Sequence, residues 1–234
     1  ENVPKTFAQA LRDPRWGDAA RKELQTLIET KAIVEIDKTL AKEMIELQGA
    51  DLVILFPIYE TKEKEGVMVD KVRLVGDGRD HKSAIHTYAA TPSREEFLLL
   101  MHLIASFGWV YYHVDEIRAF LTARYQGGTA PVVTKFRGEG SPYYQVLGAL
   151  YGLQSSPRDY QQVVIKRLTE LNFKRLTVCS CIFVCREGDD VTFIYDFVDD
   201  FVITGNNNET VLRKIAELRQ LAKTTEPIEN ARKV

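Results

Sequence analysis

Residues 180–205, SCIFVCREGDDVTFIYDFVDDFVITG, constrain the fold of this chain more than any other stretch. Their alternation of apolar and polar residues reads as an up-and-down set of strands with a Gly-Asp-Asp turn. Within them Asp199 and Asp200 stand side by side between Val198 and Phe201. A tight hairpin ordinarily uses Asn-Gly or Asp-Gly, which accept positive φ, and Asp-Asp supplies neither a glycine nor relief of charge. A pair that is locally this unfavourable points to function.

The rest of the chain supplies partners for those strands. RDPRWGDAARKELQTLIETKA predicts a helix capped by Asp13, with Pro14 in its first turn and Trp16, Ala20, Leu24, Leu27 and Ile28 on one face. AIVEI, ADLVILFPIYETK and MVDKVRLVGDGRD read as strands. Ser93 and Glu96 fit a capping box for a helix that stops at Gly108 and, being apolar on nearly all sides, is expected to be mostly buried. WVYYHVD is a strand ending on Asp115. Glycine and turn signals fill Gly127 to Gly140, and YYQVLGALYGL reads as extended. Ser156, Pro157 and Asp159 predict another capping box, and a last helix runs from about Glu209 to Ala222, with KTTEPIENARKV as its incomplete continuation. Helices and antiparallel strands in mixed order indicate an α+β fold.

A chain of 234 residues with 45% hydrophobic and 27% charged content can bury a sizeable core. No charged-then-apolar leader and no apolar run of membrane-spanning length is present, so the expectation is a protein of the cell interior, cytoplasmic or nuclear, with no membrane partner. Cys179, Cys181 and Cys185 fall on one face by alternation with no second cluster to complete a zinc site, and read as reduced thiols. The four histidines share no ligand spacing and are given no metal role. The net charge of −2 and pI near 6.2 argue against a broad basic surface, so any nucleic-acid contact must be local.

If the strand ending on Asp115 neighbours the hairpin, three carboxylates converge at one place. Mutual repulsion keeps such a group from ionising fully unless a cation neutralises it. Oxygen-only ligands on strand ends suit Mg²⁺ and two-metal phosphoryl transfer. Spacing alone equally allows an exposed hairpin tip and a helix cap.

DEIRAFL (115–121), LYGLQSSPRDY (150–160) and FVDDFVITG (197–205) resemble, in order and separation, the core motifs of copia-type retrotransposon reverse transcriptases, approximately DVKTAFL, LYGLKQSPRAW and YVDDxLITG. RDPRW, ELQTLI, KVRLVGDG and SCIFV extend the resemblance over nearly the whole chain. It implies a palm of antiparallel sheet and packed helices plus fingers. Residues 1–90 are then mainly fingers with the N-terminal helix, 91–126 palm with the first catalytic acid, 127–156 a fingers/palm connection, and 157–234 palm with the Val-Asp-Asp hairpin. It implies RNA-directed DNA polymerase activity, with Asp115, Asp199 and Asp200 catalytic and carrying two Mg²⁺ (or Mn²⁺) ions. The partners it implies are an RNA or DNA template with primer, and deoxynucleoside triphosphates.

Nucleotide-binding roles follow from the matched motifs. Phe120 falls where the family places the aromatic that abuts the sugar, Lys71 and Arg73 where a strand face clamps the triphosphate, and Tyr151 and Gly152 along the nucleotide and template pocket. A core ring, a solvated strand face and a merely packing tyrosine are the structural alternatives. The chain departs from the pattern at Gln154-Ser155, where Lys-Gln is usual, at Asp77, commonly basic, and at Asp196, an acid among expected apolar residues. Thumb and RNase H are expected to be absent, so synthesis should be weak unless a protein partner or self-association replaces the thumb. Two other readings remain: a domesticated, non-catalytic nucleic-acid-binding or assembly scaffold, and an unrelated metal-dependent phosphohydrolase.

Overall fold

The computed structural model of the protein describes residues 3–64 and 66–230. Helices α1 (Phe7–Ala10) and α2 (Gly17–Glu29) open the chain, followed by β1 (Ile33–Ile36), α3 (Lys38–Leu47), β2 (Asp51–Lys64) and β3 (Val67–Gly76). Then come α4 (Arg94–Phe107), β4 (Tyr111–Asp115), β5 (Val132–Phe136), β6 (Tyr143–Val146) and α5 (Ser156–Glu170). The chain continues through β7 (Lys174–Arg175), β8 (Ile182–Glu187), β9 (Asp190–Phe197), β10 (Asp200–Gly205), α6 (Asn208–Leu221) and β11 (Ile228–Asn230). The class is α+β, as expected. No helix among the described residues is long and apolar enough to cross a membrane.

The chain divides into two compact units: the described residues up to Tyr88 with Phe120–Tyr160, and Ala89–Ala119 with the described residues from Gln161. The first unit holds a sheet of order β1-β6-β5-β2-β3, antiparallel except for the parallel pair β2 and β5. Its core gathers Trp16, Leu27, Leu55, Leu74, Val132 and Leu150, and Phe7 stacks on Phe136 with ring centroids 4.0 Å apart.

The second unit holds the sheet β11-β4-β10-β9-β8-β7, antiparallel throughout. Strand alternation gives it two faces. Val114, Phe201, Ile203, Ile194 and Phe183 are buried on one, where α6 packs against β9 and β10. On the other, Leu100 and Ile104 of α4 pack with Ile182 and Tyr195.

Several elements differ from expectation. Helix α2 starts at Gly17, because the Asp13 carboxylate accepts from the amides of Arg15 and Trp16 at 2.8 and 3.0 Å and closes a turn before the helix. Helix α3 was not expected. Asp37 caps it by accepting from Thr39 and Leu40, and Ala41 and Met44 bury against Ala50 and Val133. The capping box and Gly108 stop of α4 are as expected, but Phe97, Leu98, Leu99 and Phe107 are exposed. A helix resting on one sheet buries only one stripe. The capping box at α5 does not form: the Ser156 hydroxyl donates to the Leu150 carbonyl at 2.7 Å, and the Asp159 carboxylate accepts from the Gln126 amide at 3.2 Å. Both side chains are turned inward and buried. The segment after α6 does not extend the helix. Its residues Ile228–Asn230 pair with β4 as an edge strand, downstream of Pro227.

Candidate active site

The hairpin of β9 and β10 pairs Phe197 with Asp200, so its two-residue turn is Val198-Asp199 and the acid pair straddles turn and strand. Val198 sits at φ 64 in the left-handed region, which is strained for a β-branched residue. Such strain, typically about 1–3 kcal/mol, persists where surrounding structure imposes it. Here β10 is held by β9 on one side and β4 on the other.

The β4–β10 register places Asp200 directly opposite Asp115. Facing residues on one sheet face lie about 5 Å apart at Cβ. Asp199 is fixed from the same strand end: its carbonyl accepts the Glu116 amide at 2.7 Å. On the far side of β4, the Asp115 amide donates to the Thr225 hydroxyl at 3.1 Å and its carbonyl accepts the Thr225 amide at 2.8 Å. The backbone thus brings the three predicted acids to one strand end. Their oxygen donors suit a hard cation in kind. The side chains are not drawn together as a ligand set: among the described residues no three or more His, Cys, Asp or Glu side chains are grouped to hold a metal ion. His113 engages Asp200, with Nε2 3.0 Å from Oδ1. The carboxylate can only accept, so the imidazole donates.

The opposite face carries a second set of charges. Glu116 is buried and accepts from Arg167 Nη1 at 2.7 Å. Asp196, opposite Phe201, faces the core; one of its carboxylate oxygens, Oδ1, has no hydrogen-bond partner. Burial pushes its carboxyl up to about 7; Arg175 pulls it down, while Glu116 and Asp199 push it further up. Cys181 and Cys185 are free and buried, Cys179 is free and partly exposed, and burial raises the Cys181 thiol to about 12, so that thiol is unreactive.

The other predicted site residues belong to the first unit. Lys71 and Arg73 share a face of β3, as alternation requires, with Glu60 among them: Lys71 lies opposite Glu60 and Arg73 Nη1 reaches its Oε2 at 3.1 Å. Burial, then the neighbouring Arg73 charge, lowers the Lys71 ammonium below its usual value. Phe120 packs between Tyr151 and Tyr160, ring centroids 5.1 and 5.4 Å away. Gly152 adopts φ +90, and a Cβ there would stand 2.1 Å from the Gly76 carbonyl oxygen. The Gly76 amide donates to the Tyr151 carbonyl at 2.7 Å and the Gln154 amide group to the Gly78 carbonyl at 2.7 Å, so the Leu-Tyr-Gly-Leu turn is tied to the end of β3. Asp77 is neutralised locally: hydrogen bonds from the Arg79 guanidinium hold its carboxyl near 2.

Sequence reasoning gave His113 no role, although it lies two residues before Asp115 on the same strand face. It marked Asp196 only as an acid among expected apolar residues, without its burial. Neither answer is encoded locally, since both depend on strands paired from distant parts of the chain.

Comparison with known proteins gives the lineage. Residues 54–225 match the family model described as Reverse transcriptase (RNA-dependent DNA polymerase). The chain is 22% identical over 232 residues to the Retrovirus-related Pol polyprotein from transposon RE1 of Arabidopsis thaliana, covering 94% of this chain and 15% of that protein. It is 24% identical over 223 residues to the corresponding polyprotein from transposon RE2, covering 90% of this chain and 14% of the relative. A foamy viral protease-reverse transcriptase solved with double-stranded DNA superposes with a TM-score of 0.48 at 12% identity, over 91% of this chain and 30% of that one. The chain therefore spans about 15% of the first curated relative it matches. It belongs to the reverse transcriptase (RNA-dependent DNA polymerase) family, of the copia retrotransposon type.

Proposed function

We propose that this chain is a fingers and palm core that transfers deoxynucleotides to a primer 3′-hydroxyl on an RNA or DNA template. The second unit is the palm and the first the fingers. The observation that carries this reading is the ladder setting Asp200 opposite Asp115 with Asp199 in the adjoining turn. Three acids from two distant segments share one strand end, which a surface hairpin does not require. Asp115, Asp199 and Asp200 would hold two Mg²⁺ (or Mn²⁺) ions, which when bound neutralise the triphosphate and acidify the primer hydroxyl. Within the first unit, Lys71 and Arg73 donate to phosphate oxygens. Phe120, braced by Tyr151 and Tyr160, presents a rigid edge to the sugar and so favours deoxynucleotides. Gly152, lacking a Cβ, lets backbone stand close to the base.

Extension of a labelled primer on an RNA template with Mg²⁺ tests this. The unmodified chain is expected to extend the primer, and Asp115→Asn, Asp199→Asn or Asp200→Asn to lose more than about a hundredfold, beyond what outer-shell neighbours of metal ligands contribute. A second reading, a non-catalytic nucleic-acid scaffold, is favoured by the ungathered carboxylates. It predicts template binding unaffected by Asp199→Asn and no extension by any form.

A further inference from the structure

We propose that His113 is a positioning residue that holds the Asp200 carboxylate away from Asp115, so that breaking this hold sets how tightly the three acids take a divalent cation. The inference rests on the reading of Asp115, Asp199 and Asp200 as metal ligands.

The geometry is that of a diagonal cross-strand pair. Asp200 faces Asp115, whereas His113 faces Val202. Diagonal neighbours are within reach only of long or aromatic side chains. The imidazole meets that condition, and its bond to Oδ1 draws the Asp200 carboxyl along the sheet, inward from the strand end where Asp115 lies. Paired backbone fixes both partners: Val202 of β10 and Ile228 of β11 flank His113, and Asp115 of β4 and Phe197 of β9 flank Asp200.

His113 and Asp200 border a recess of about 430 Å³ whose walls are Phe97, Tyr195, Phe197 and Val202. Both side chains keep contact with solvent, His113 being 38% and Asp200 43% exposed, so a cation from solution can reach the pair. Arg94 borders the same recess, but the bond formed is to His113. With Asp200 so engaged, the described acids do not form a ligand set. A cation at the strand end must therefore compete with the imidazole for Asp200.

Titration of the chain with Mn²⁺, reading free Mn²⁺ by electron paramagnetic resonance with no nucleotide or primer present, tests the inference. His113→Phe keeps a ring and removes the donor; it is expected to tighten Mn²⁺ binding about tenfold, the scale on which outer-shell neighbours act. His113→Leu serves the same purpose should the Phe variant melt early. His113→Gln retains a donor and is expected to stay within about threefold of the parent. Unchanged or weaker binding by both donor-free variants overturns the inference while leaving the metal reading intact, provided Asp115→Asn abolishes parental binding. Parental binding that ignores Asp115→Asn overturns both.

Discussion

Asp196 is the most costly residue of the hairpin. Its neighbours in β9 and β10 are apolar, one oxygen has no hydrogen-bond partner, and its carboxyl titrates near 7 instead of the ordinary 3.8. The folded chain thus binds this proton more tightly than the unfolded chain does. Stability from this group is complete below about pH 4, declines as pH rises toward 7, and stays low above it. The loss is at most about 4 kcal/mol at 1.36 kcal/mol per pKa unit. Asp196→Asn cannot ionise, so its stability relative to the parent is expected to rise between pH 4 and 8 by up to that amount. Urea unfolding at a series of pH values checks this, and parallel curves for the two proteins would refute it. The sequence exposes Asp196 as an acid out of place. Its burial depends on register with Phe201, which alternation alone does not supply.

At the scale of elements, the turn of the Leu-Tyr-Gly-Leu block and the end of β3 depend on each other through glycines. Gly152 is left-handed, and a Cβ on Gly78 would stand 2.3 Å from the Gly152 carbonyl oxygen. Gly152→Ala is expected to destabilise by about 2–4 kcal/mol, because backbone strain and a backbone clash add and neither neighbour can yield cheaply. Thermal or urea melting measures it, and a loss below about 1 kcal/mol would show the turn to be slack. Local signals read well where they act alone: the Ser93–Glu96 box starts α4 and Gly108 stops it, as their chemistry requires. They mislead where burial competes. Ser156 and Asp159 have the identities of a capping box but are drawn inward to Leu150 and Gln126. Helix α3 shows the reverse case, since Asp37 is an ordinary cap and Ala41 and Met44 an ordinary stripe, overlooked between two stronger strand patterns.

For the whole molecule, charge balance limits how nucleic acid can be held. At net −2, with Arg73 paired to Glu60 and Arg79 to Asp77, the cations of the first unit named above have acids beside them that compete with phosphates. The affinity of the chain for a primer-template is expected to fall with a log–log salt slope of about 3 or less, about 0.9 per phosphate neutralised. Fluorescence anisotropy between 50 and 200 mM salt, roughly the range over which such slopes are resolved, measures it. A slope beyond about 6 would overturn this expectation and point to a broad basic surface. By itself the sequence determined the lineage and the α+β class, because motif residues and caps act over a few neighbours. Only the tertiary structure decided that Asp200 lies opposite Asp115, that His113 takes its carboxylate and that Asp196 is buried. Each of these follows from strand register, and register is set by long-range pairing and by the burial of whole sheet faces.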